Sequence, residues 1–324
     1  MNREGGRKDL GWLRQVSSFA SSRIILTANR YRVFDLLEDG GKSASQVSKA
    51  AKTDGRATEL LLNSLVAIGL LKKKAGRYRN EGVASRYLVR GRPGYQGDIM
   101  DHYNTLWDNW SGLDRVLNTG KPFRKSGDHK SFILGMNNIA LQRAGDVVDA
   151  VDLRDIGSVL DLGGGPGTYA MAFAGKNIPS TLFDAPETIK IARRLIKEAG
   201  LQKMISLKAG DFTKDDIGNG YDMIFISQIF HAYGPEACMA LLRKCYASLN
   251  RGGRVVVQEF YLDETKTGPL QGAIFAINML VNTPDGRTYS PKEISSWMRK
   301  AGFREIKTKL LGETVLLTGN GKKR

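Results

Sequence analysis

Residues 159–170 read VLDLGGGPGTYA, and the fold turns on what this stretch is. An apolar run closes on Asp161-Leu162, a glycine cluster follows around Pro166, and Thr168-Tyr169-Ala170 opens a helical pattern. A strand that breaks into glycines and resumes as a helix is the opening βα turn of a ligand-binding α/β sheet. Glycine suits the turn because it adopts positive φ freely and lets a ligand come close to the backbone. Gly165 to Ala170 also fits the G-x-G-x-x-A pattern of dinucleotide sites. Two details argue against that ligand. Asp161 sits at the strand end, where its charge would oppose a pyrophosphate, and Pro166 removes an N–H that a phosphate cradle would use. A carboxylate-lined notch suits a cofactor with a cationic amino group and a sulfonium better.

Downstream of the loop, apolar runs alternate with amphipathic helical stretches, the pattern of a parallel sheet covered on both faces. The expected strands are SVLDL (158–162), STLFD (180–184), SLKAGD (206–211), YDMIFIS (221–227), RVVVQEFYL (254–262), FREIKTKLL (303–311) and TVLLTG (314–319). The last two are joined only by Gly312-Glu313, which makes them antiparallel. The GNGKKR tail (319–324) reads as frayed.

Upstream lies a different kind of sequence. Residues 11–38 carry helical spacing that stops at Gly40-Gly41. Ser43 and Asp54 are placed to cap two further helices, Gly69 ends the second of them, and LKKKAGRYRN (71–80) reads as a hairpin turning at Ala75-Gly76. Helix, helix, helix, hairpin is the order of a winged helix. Residues 1–95 hold 19 Lys and Arg against 8 Asp and Glu, a net +11 of the chain's +16, so nucleic acid has to be weighed as a partner. The segment that would enter a groove, Arg56 to Ile68, is filled with Leu60, Leu61, Leu62, Leu65, Val66 and Ile68 and carries Glu59. Such a helix packs or dimerises rather than reading bases. The expected organisation is a winged-helix-like dimerisation domain at 1–95, a helical connector at 96–150 that lines a substrate pocket, and a catalytic α/β domain at 151–324.

No apolar run approaches the ~20 residues of a membrane helix, and the charged start MNREGGRKDLGW lacks the apolar core of a signal peptide. A cytoplasmic protein is expected. Its two cysteines, Cys238 and Cys245, match no metal spacing and read as buried reduced thiols.

Two more acids close successive strands. Asp184 ends TLFD, where a carboxylate can take both hydroxyls of a ribose, and Asp211-Phe212 follows KAG, where an acid beside an aromatic ring suits an adenine. Ligands of such sheets bind outside the carboxyl ends of the strands.

With DLGGGPGTYA, FDAPETI, GDF, HAYGPEACMALLRKCYASLNRGGRVVVQE and the N-terminal DGRATELLLNSLVAIGLL in order along nearly the whole chain, the sequence resembles the S-adenosylmethionine-dependent O-methyltransferases of the plant caffeate and acetylserotonin type, with bacterial small-molecule relatives. The resemblance implies a Rossmann-like catalytic domain, a winged-helix dimerisation domain, S-adenosylmethionine as cofactor and a homodimer. It implies cofactor contacts from Gly163 to the methionine part, from Asp184 to the ribose, and from Asp211, Phe212 and Tyr233 to the adenine; the strand-end acid Asp161 and the loop glycine Gly165 are expected to contact the cofactor beside them. Ser227 falls where the family has a lysine. His231 falls on the family's general base, which would take the proton of an aromatic or polyene hydroxyl as it attacks the methyl group. Glu259 matches the first of two orienting glutamates. The second falls at Thr288, with Asp285 the nearest acid, and Ala232 stands where the family has an aspartate. Met136 and Met279 would line the acceptor pocket, with Asn278 and Asn282 as polar anchors. Of the other histidines, His102 stands near Trp107 and Trp110, while His129 in SGDHKS reads as exposed. The incomplete set of acids leaves C-methylation or a non-methylation reaction as an alternative. A cofactor-sensing DNA-binding regulator is the second alternative.

Overall fold

The structure, a computed structural model, describes residues 11–125 and 127–322. The chain forms two units, Met1–Thr105 and Leu106–Arg324.

In the first unit, α1 (Gly11–Ser17), α2 (Phe19–Arg30), α3 (Val33–Glu38), α4 (Ala44–Ala51) and α5 (Gly55–Ile68) precede the hairpin of β1 (Leu71–Lys74) and β2 (Arg77–Asn80), and α6 (Gly82–Tyr87) follows. The start and stop signals lie where the sequence puts them. Ser43 and Gln46 form a capping box on α4, the Asp54 carboxylate accepts from the Ala57 N–H at 2.7 Å, and Gly69 ends α5 at φ +87°. The hairpin turns through Ala75 and Gly76, both at positive φ, and pairs Lys74 with Arg77. Leu62 and Leu65 of α5 pack with Phe34, Leu37, Val47, Leu71 and Tyr78 in a core of their own. Leu60 and Ile68 lie on the exposed surface of this unit, so α5 buries part of its apolar surface within the unit rather than all of it. The break between the units falls inside α7 (Gly97–Trp110).

The second unit begins with α8 (Leu113–Thr119), α9 (His129–Leu141) and α10 (Ala144–Asp149). It continues with β3 (Val159–Leu162), α11 (Thr168–Ala174), β4 (Ser180–Asp184), α12 (Pro186–Glu198), β5 (Ile205–Ala209), β6 (Tyr221–Ser227), α13 (Pro235–Ser248), β7 (Leu249–Phe260), α14 (Leu270–Asn282), α15 (Pro291–Lys300), β8 (Arg304–Leu311) and β9 (Thr314–Asn320). The sheet order is β5-β4-β3-β6-β7-β9-β8, with β9 antiparallel to both neighbours and the rest parallel. All seven expected strands are present, and the Gly312-Glu313 turn joins an antiparallel pair.

Alternation sorts the sheet's two faces. Leu160, Leu162, Ile224, Ile226, Val255 and Val257 pack against Leu242 and Cys245 of α13 and Trp297 and Met298 of α15. Val159, Met223, Phe225 and Val256 pack against Val148 of α10 and Tyr169 and Phe173 of α11. Both cysteines are free and buried, and burial pushes each thiol up to about 12, so neither is a nucleophile at neutral pH. The tail expected to fray is tied down as far as Lys322: the Gly321 N–H donates to the Gly253 carbonyl at 2.8 Å, and the Lys322 carbonyl accepts from the Gly252 N–H at 2.7 Å. Residues 323 and 324 lie outside the described residues. No helix among the described residues is long and apolar enough to cross a membrane.

Candidate active site

The strand order reverses between β3 and β6, which opens a crevice beyond their carboxyl ends. The glycine loop leaves β3 into it, and Gln228 to Tyr233 leave β6 beside it.

Gly163, Gly165 and Gly167 have φ of +68°, +56° and +81°, the left-handed region in which other residues are strained. A Cβ at Gly163 would also stand 2.5 Å from Ile229 Cδ1 and 3.2 Å from Phe212 Cε1. The loop thus lies against the residues that follow β5 and β6. Phe212 meets Tyr233 edge-on, their ring centroids 5.9 Å apart. The Tyr233 hydroxyl is raised by its own burial first and then by the charges of Asp211 and Asp184. The second and third strand-end acids and the two rings therefore share one end of the crevice.

The three acids differ in state. Asp184 accepts from the Gly165 N–H at 2.8 Å and from the Ala185 N–H at 2.7 Å. Burial raises its carboxyl, while those two N–H groups, Thr188 and His129 favour its charge. Asp211 is exposed and engaged by Thr213 and Lys214, which hold it down at about 2. Asp161 departs from the sequence reading of a carboxylate facing the cofactor. It is 0% exposed, lies directly under Gly164, and accepts from the Ala170 N–H of α11 at 3.0 Å. Its side chain points from β3 toward the α11 face, and the loop closes over it. Its other oxygen, Oδ1, has no hydrogen-bond partner. Burial first, with the charge of Asp184 behind it, lifts this carboxyl to about 7.

Ser227 stands at the end of β6 opposite Gln258 of β7 and donates to its Oε1 at 2.9 Å. Gln258 is fully buried, and its Nε2 also lacks a partner. Both Ser227 and Gln258 favour the charged form of the Tyr169 phenol, which burial opposes more strongly. Ser227 and Gln258 thus form a hydrogen-bonded pair where the sequence reading has only an altered contact at Ser227.

Gln228 turns the chain out of β6 at φ +56°, its N–H held by the Gln258 carbonyl at 2.8 Å. A non-glycine residue there costs about 1 kcal/mol or more. That bend starts the short 3-10 turn Phe230–Ala232 and brings His231 over the end of β7. His231 Nδ1 lies 2.8 Å from Glu259 Oε2, and Glu259 Oε1 accepts from the Phe230 N–H at 2.8 Å and more distantly from the His231 N–H. Glu259 is 2% exposed, so three donors hold a carboxylate that is almost sealed. The bond puts the ring proton on Nδ1 and leaves Nε2 with the lone pair.

The other flank of His231 is aromatic. Phe275 of α14 meets the ring edge-on at 4.9 Å, Phe260 lies at 5.9 Å, and the two phenylalanines are 4.0 Å apart. Sequence reasoning missed both. The available signal was Phe275 four residues before Met279, on the same helix face. α14 can come this close because of Gly272, where a Cβ would meet the Tyr261 carbonyl oxygen at 2.1 Å. Thr288 is buried and donates its hydroxyl to the Gly272 carbonyl at 3.0 Å, so it braces α14. Asp285 is exposed beside Gly234.

The residues expected to line the acceptor pocket are more tightly bound into the protein than the sequence implies. Asn282 accepts from Asn109 Nδ2 at 2.8 Å and donates to the Asn278 carbonyl and side chain, while Asn278 Oδ1 also accepts from the Trp110 indole at 2.9 Å. Both ends of the Asn282 amide are thereby engaged, its oxygen by Asn109 of α7 and its nitrogen within α14 itself. Met279 is buried and Met136 half-buried. Next to Met136, Asn137 accepts from the Thr168 hydroxyl at 2.7 Å and fastens α9 to the start of α11. His102, in the first unit, lies beside Tyr103. His129 is exposed as expected, yet it has a partner in Thr188 at 3.1 Å.

Comparison with known proteins matches this arrangement. Residues 107–304 match the model of an O-methyltransferase domain, and residues 13–90 that of an O-methyltransferase dimerisation domain. The 3-hydroxy-5-methyl-1-naphthoate 3-O-methyltransferase of Streptomyces sahachiroi is 30% identical, over 85% of this chain and 84% of that one. The acetylserotonin O-methyltransferase of Gallus gallus is 30% identical over 92% of each. The crystal structure of human N-acetylserotonin methyltransferase in complex with SAM superposes with a TM-score of 0.86 at 25% identity, covering 97% of this chain and 98% of that one. With a family model matching more than half of the chain and a relative 30% identical over 92% of each sequence, the chain belongs to the O-methyltransferase family.

Proposed function

We propose that this protein transfers the methyl group of S-adenosylmethionine to a hydroxyl on an aromatic or polyene small molecule, with His231 as general base. The observation that carries the reading is the His231–Glu259 pair, set over the crevice at the strand-order reversal with Nε2 left basic.

The residues present fit this cofactor. Asp161, sealed beneath Gly164 and holding the Ala170 N–H, braces the glycine loop from below rather than meeting the cofactor itself. Gly163 has no room for a side chain, and Asp184 offers a half-buried carboxylate of the kind that takes a ribose diol. Phe212 and Tyr233 supply faces for an adenine, with Asp211 at their edge. Gly163 and Gly165 let the loop backbone approach, and Ser227 stands at the same mouth. Bound there, S-adenosylmethionine supplies a sulfonium-activated methyl group.

The chain's own work is then deprotonation and positioning. A phenol with a pKa of ~10 is almost wholly protonated at neutral pH. His231 Nε2 takes that proton as the oxygen attacks, and Glu259 stabilises the imidazolium that forms. Phe260 and Phe275 keep water from that side of the ring. Met136 and Met279 line the acceptor pocket, where Asn278 supplies a polar anchor and Asn282 holds it in place. The chain acts as a homodimer through its N-terminal unit, whose exposed Leu60, Ile68, Trp12 and Phe19 are apolar surface suited to a second copy.

Calorimetry with S-adenosylhomocysteine and labelled-methyl transfer to a panel of phenols and hydroxylated polyenes test the reading. Micromolar binding and transfer to oxygen are expected. No binding, or label recovered only on carbon, would refute it.

A further inference from the structure

Asp211 and Phe212 stand on the turn that leaves β5. The bonds within this turn are local: the Asp211 N–H donates to the Asp215 carboxylate at 2.8 Å, and the Asp211 carbonyl accepts from the Asp215 N–H at 2.7 Å. Another fastener comes from far away in sequence. The Lys244 ammonium, on α13, donates to the Phe212 carbonyl at 2.7 Å and to the Asp215 carbonyl at 2.8 Å, across 32 and 29 positions. The turn is tied at its start as well, where the Gly210 N–H donates to the Asp184 carbonyl of β4 at 3.0 Å.

The Lys244 grip bears on where the Phe212 ring lies. Peptide units are rigid planes, so anchoring the two that carry the Phe212 and Asp215 carbonyls leaves the turn between them little freedom. Hydrogen bonds from an ionised donor are also about twice as strong as neutral ones. The helix that supplies this donor is a fixed platform, since its Leu241, Leu242 and Cys245 are buried in the core beneath the sheet. Lys244 itself is half-buried, so its ammonium can be removed without opening that core. On the crevice side, the Phe212 ring meets Tyr233 edge-on and stands 3.2 Å from the place of a Gly163 Cβ. A turn free to swing would carry the ring away from both.

We infer that Lys244 is a positioning residue for the cofactor: by holding the Phe212 and Asp215 carbonyls toward α13, it sets the Phe212 ring where an adenine lies against it. The inference rests on the proposed use of this crevice by S-adenosylmethionine. Lys244 touches neither cofactor nor acceptor in this role. It acts through the backbone of the turn.

The test is the affinity of the full-length protein for S-adenosylhomocysteine, by calorimetry, in Lys244→Met, Lys244→Arg, Phe212→Ala and the double variant Lys244→Met with Phe212→Ala. Lys244→Met keeps the stem and removes both hydrogen bonds, and is expected to weaken binding about tenfold. Lys244→Arg, whose guanidinium can still reach two carbonyls, is expected to recover to within about threefold of wild type. Recovery by Arg separates a hydrogen-bonding role from simple packing. With the ring already gone in Phe212→Ala, adding Lys244→Met is expected to cost no more than about a further threefold. Melting temperatures of the Lys244 variants are expected within a few degrees of wild type. Wild-type affinity in Lys244→Met, a Lys244→Arg as weak as Met, losses that multiply in the double variant, or a Lys244→Met that does not fold would each overturn the inference while leaving the proposed function intact. A wild-type protein that does not bind S-adenosylhomocysteine would overturn both.

Discussion

Glu259 holds His231 through side chain and main chain together: Oε2 meets the ring at Nδ1, and Oε1 takes the N–H of the residue just before it. A single buried carboxylate thus fixes both the tautomer of the imidazole and the turn that carries it. Glu259→Gln keeps the shape and one acceptor but turns an N–H₂ or a weaker acceptor toward Nδ1. Turnover is expected to fall by about 10² or more, with S-adenosylhomocysteine affinity within about twofold of wild type. A parallel loss of affinity would mean that Glu259 shapes the cofactor site instead.

His231→Ala removes the base and leaves the crevice. Labelled-methyl transfer to an unactivated phenol is expected to drop by about 10²–10⁴. An acceptor already ionised at the assay pH should lose much less. Equal losses for both acceptors would contradict a proton-taking role.

Gly272→Ala sets a Cβ against a backbone oxygen of Tyr261, at 2.1 Å before relaxation. α14 has to move, at about 1–3 kcal/mol, and Phe275 moves with it off the His231 ring. A melting temperature lower by a few degrees and a reduced kcat are expected together. A stable variant with reduced kcat would still fit, whereas full activity would not.

Asp161 makes stability depend on pH. Its carboxyl is lifted from 3.8 to about 7, so between those values the folded protein keeps a proton that the unfolded chain has released. Stability is full below about pH 4, declines as pH rises through about 7 by as much as a few kcal/mol, and is level above. Asp161→Asn cannot ionise and should lose that decline. Calorimetric melts of cofactor-free protein at about pH 5 and about pH 8 are expected to show the variant gaining on wild type at the higher pH. An unchanged gap would place the Asp161 carboxyl near its ordinary range.

The fold was legible because its signals are local. Apolar alternation, the glycines after Leu162, Ser43 and Asp54 as caps, and the Ala75-Gly76 turn each act within a few residues of themselves. His231, Glu259, Asp184 and the glycine loop were legible because they sit at strand ends, which the topology brings to one side. What a side chain does once there depends on what stands opposite, and no spacing reveals that. Asp161 alternates onto the α11 face and is sealed beneath Gly164. Asn282 is spent on Asn109, which lies 173 positions away in sequence. Thr288 braces α14 where an acid would have faced the imidazole, and an aromatic pair takes that flank.

The outer strand β8 has a consequence of its own. An open sheet edge offers free N–H and C=O groups to any extended chain, the route by which such proteins form fibres. β8 carries Arg304, Lys307 and Lys309 on its exposed positions, and its pairing slips between Arg304 and Lys307. An eighth strand would have to lie along that row of cations on an irregular ladder. At this edge, therefore, the sheet resists the addition of another strand.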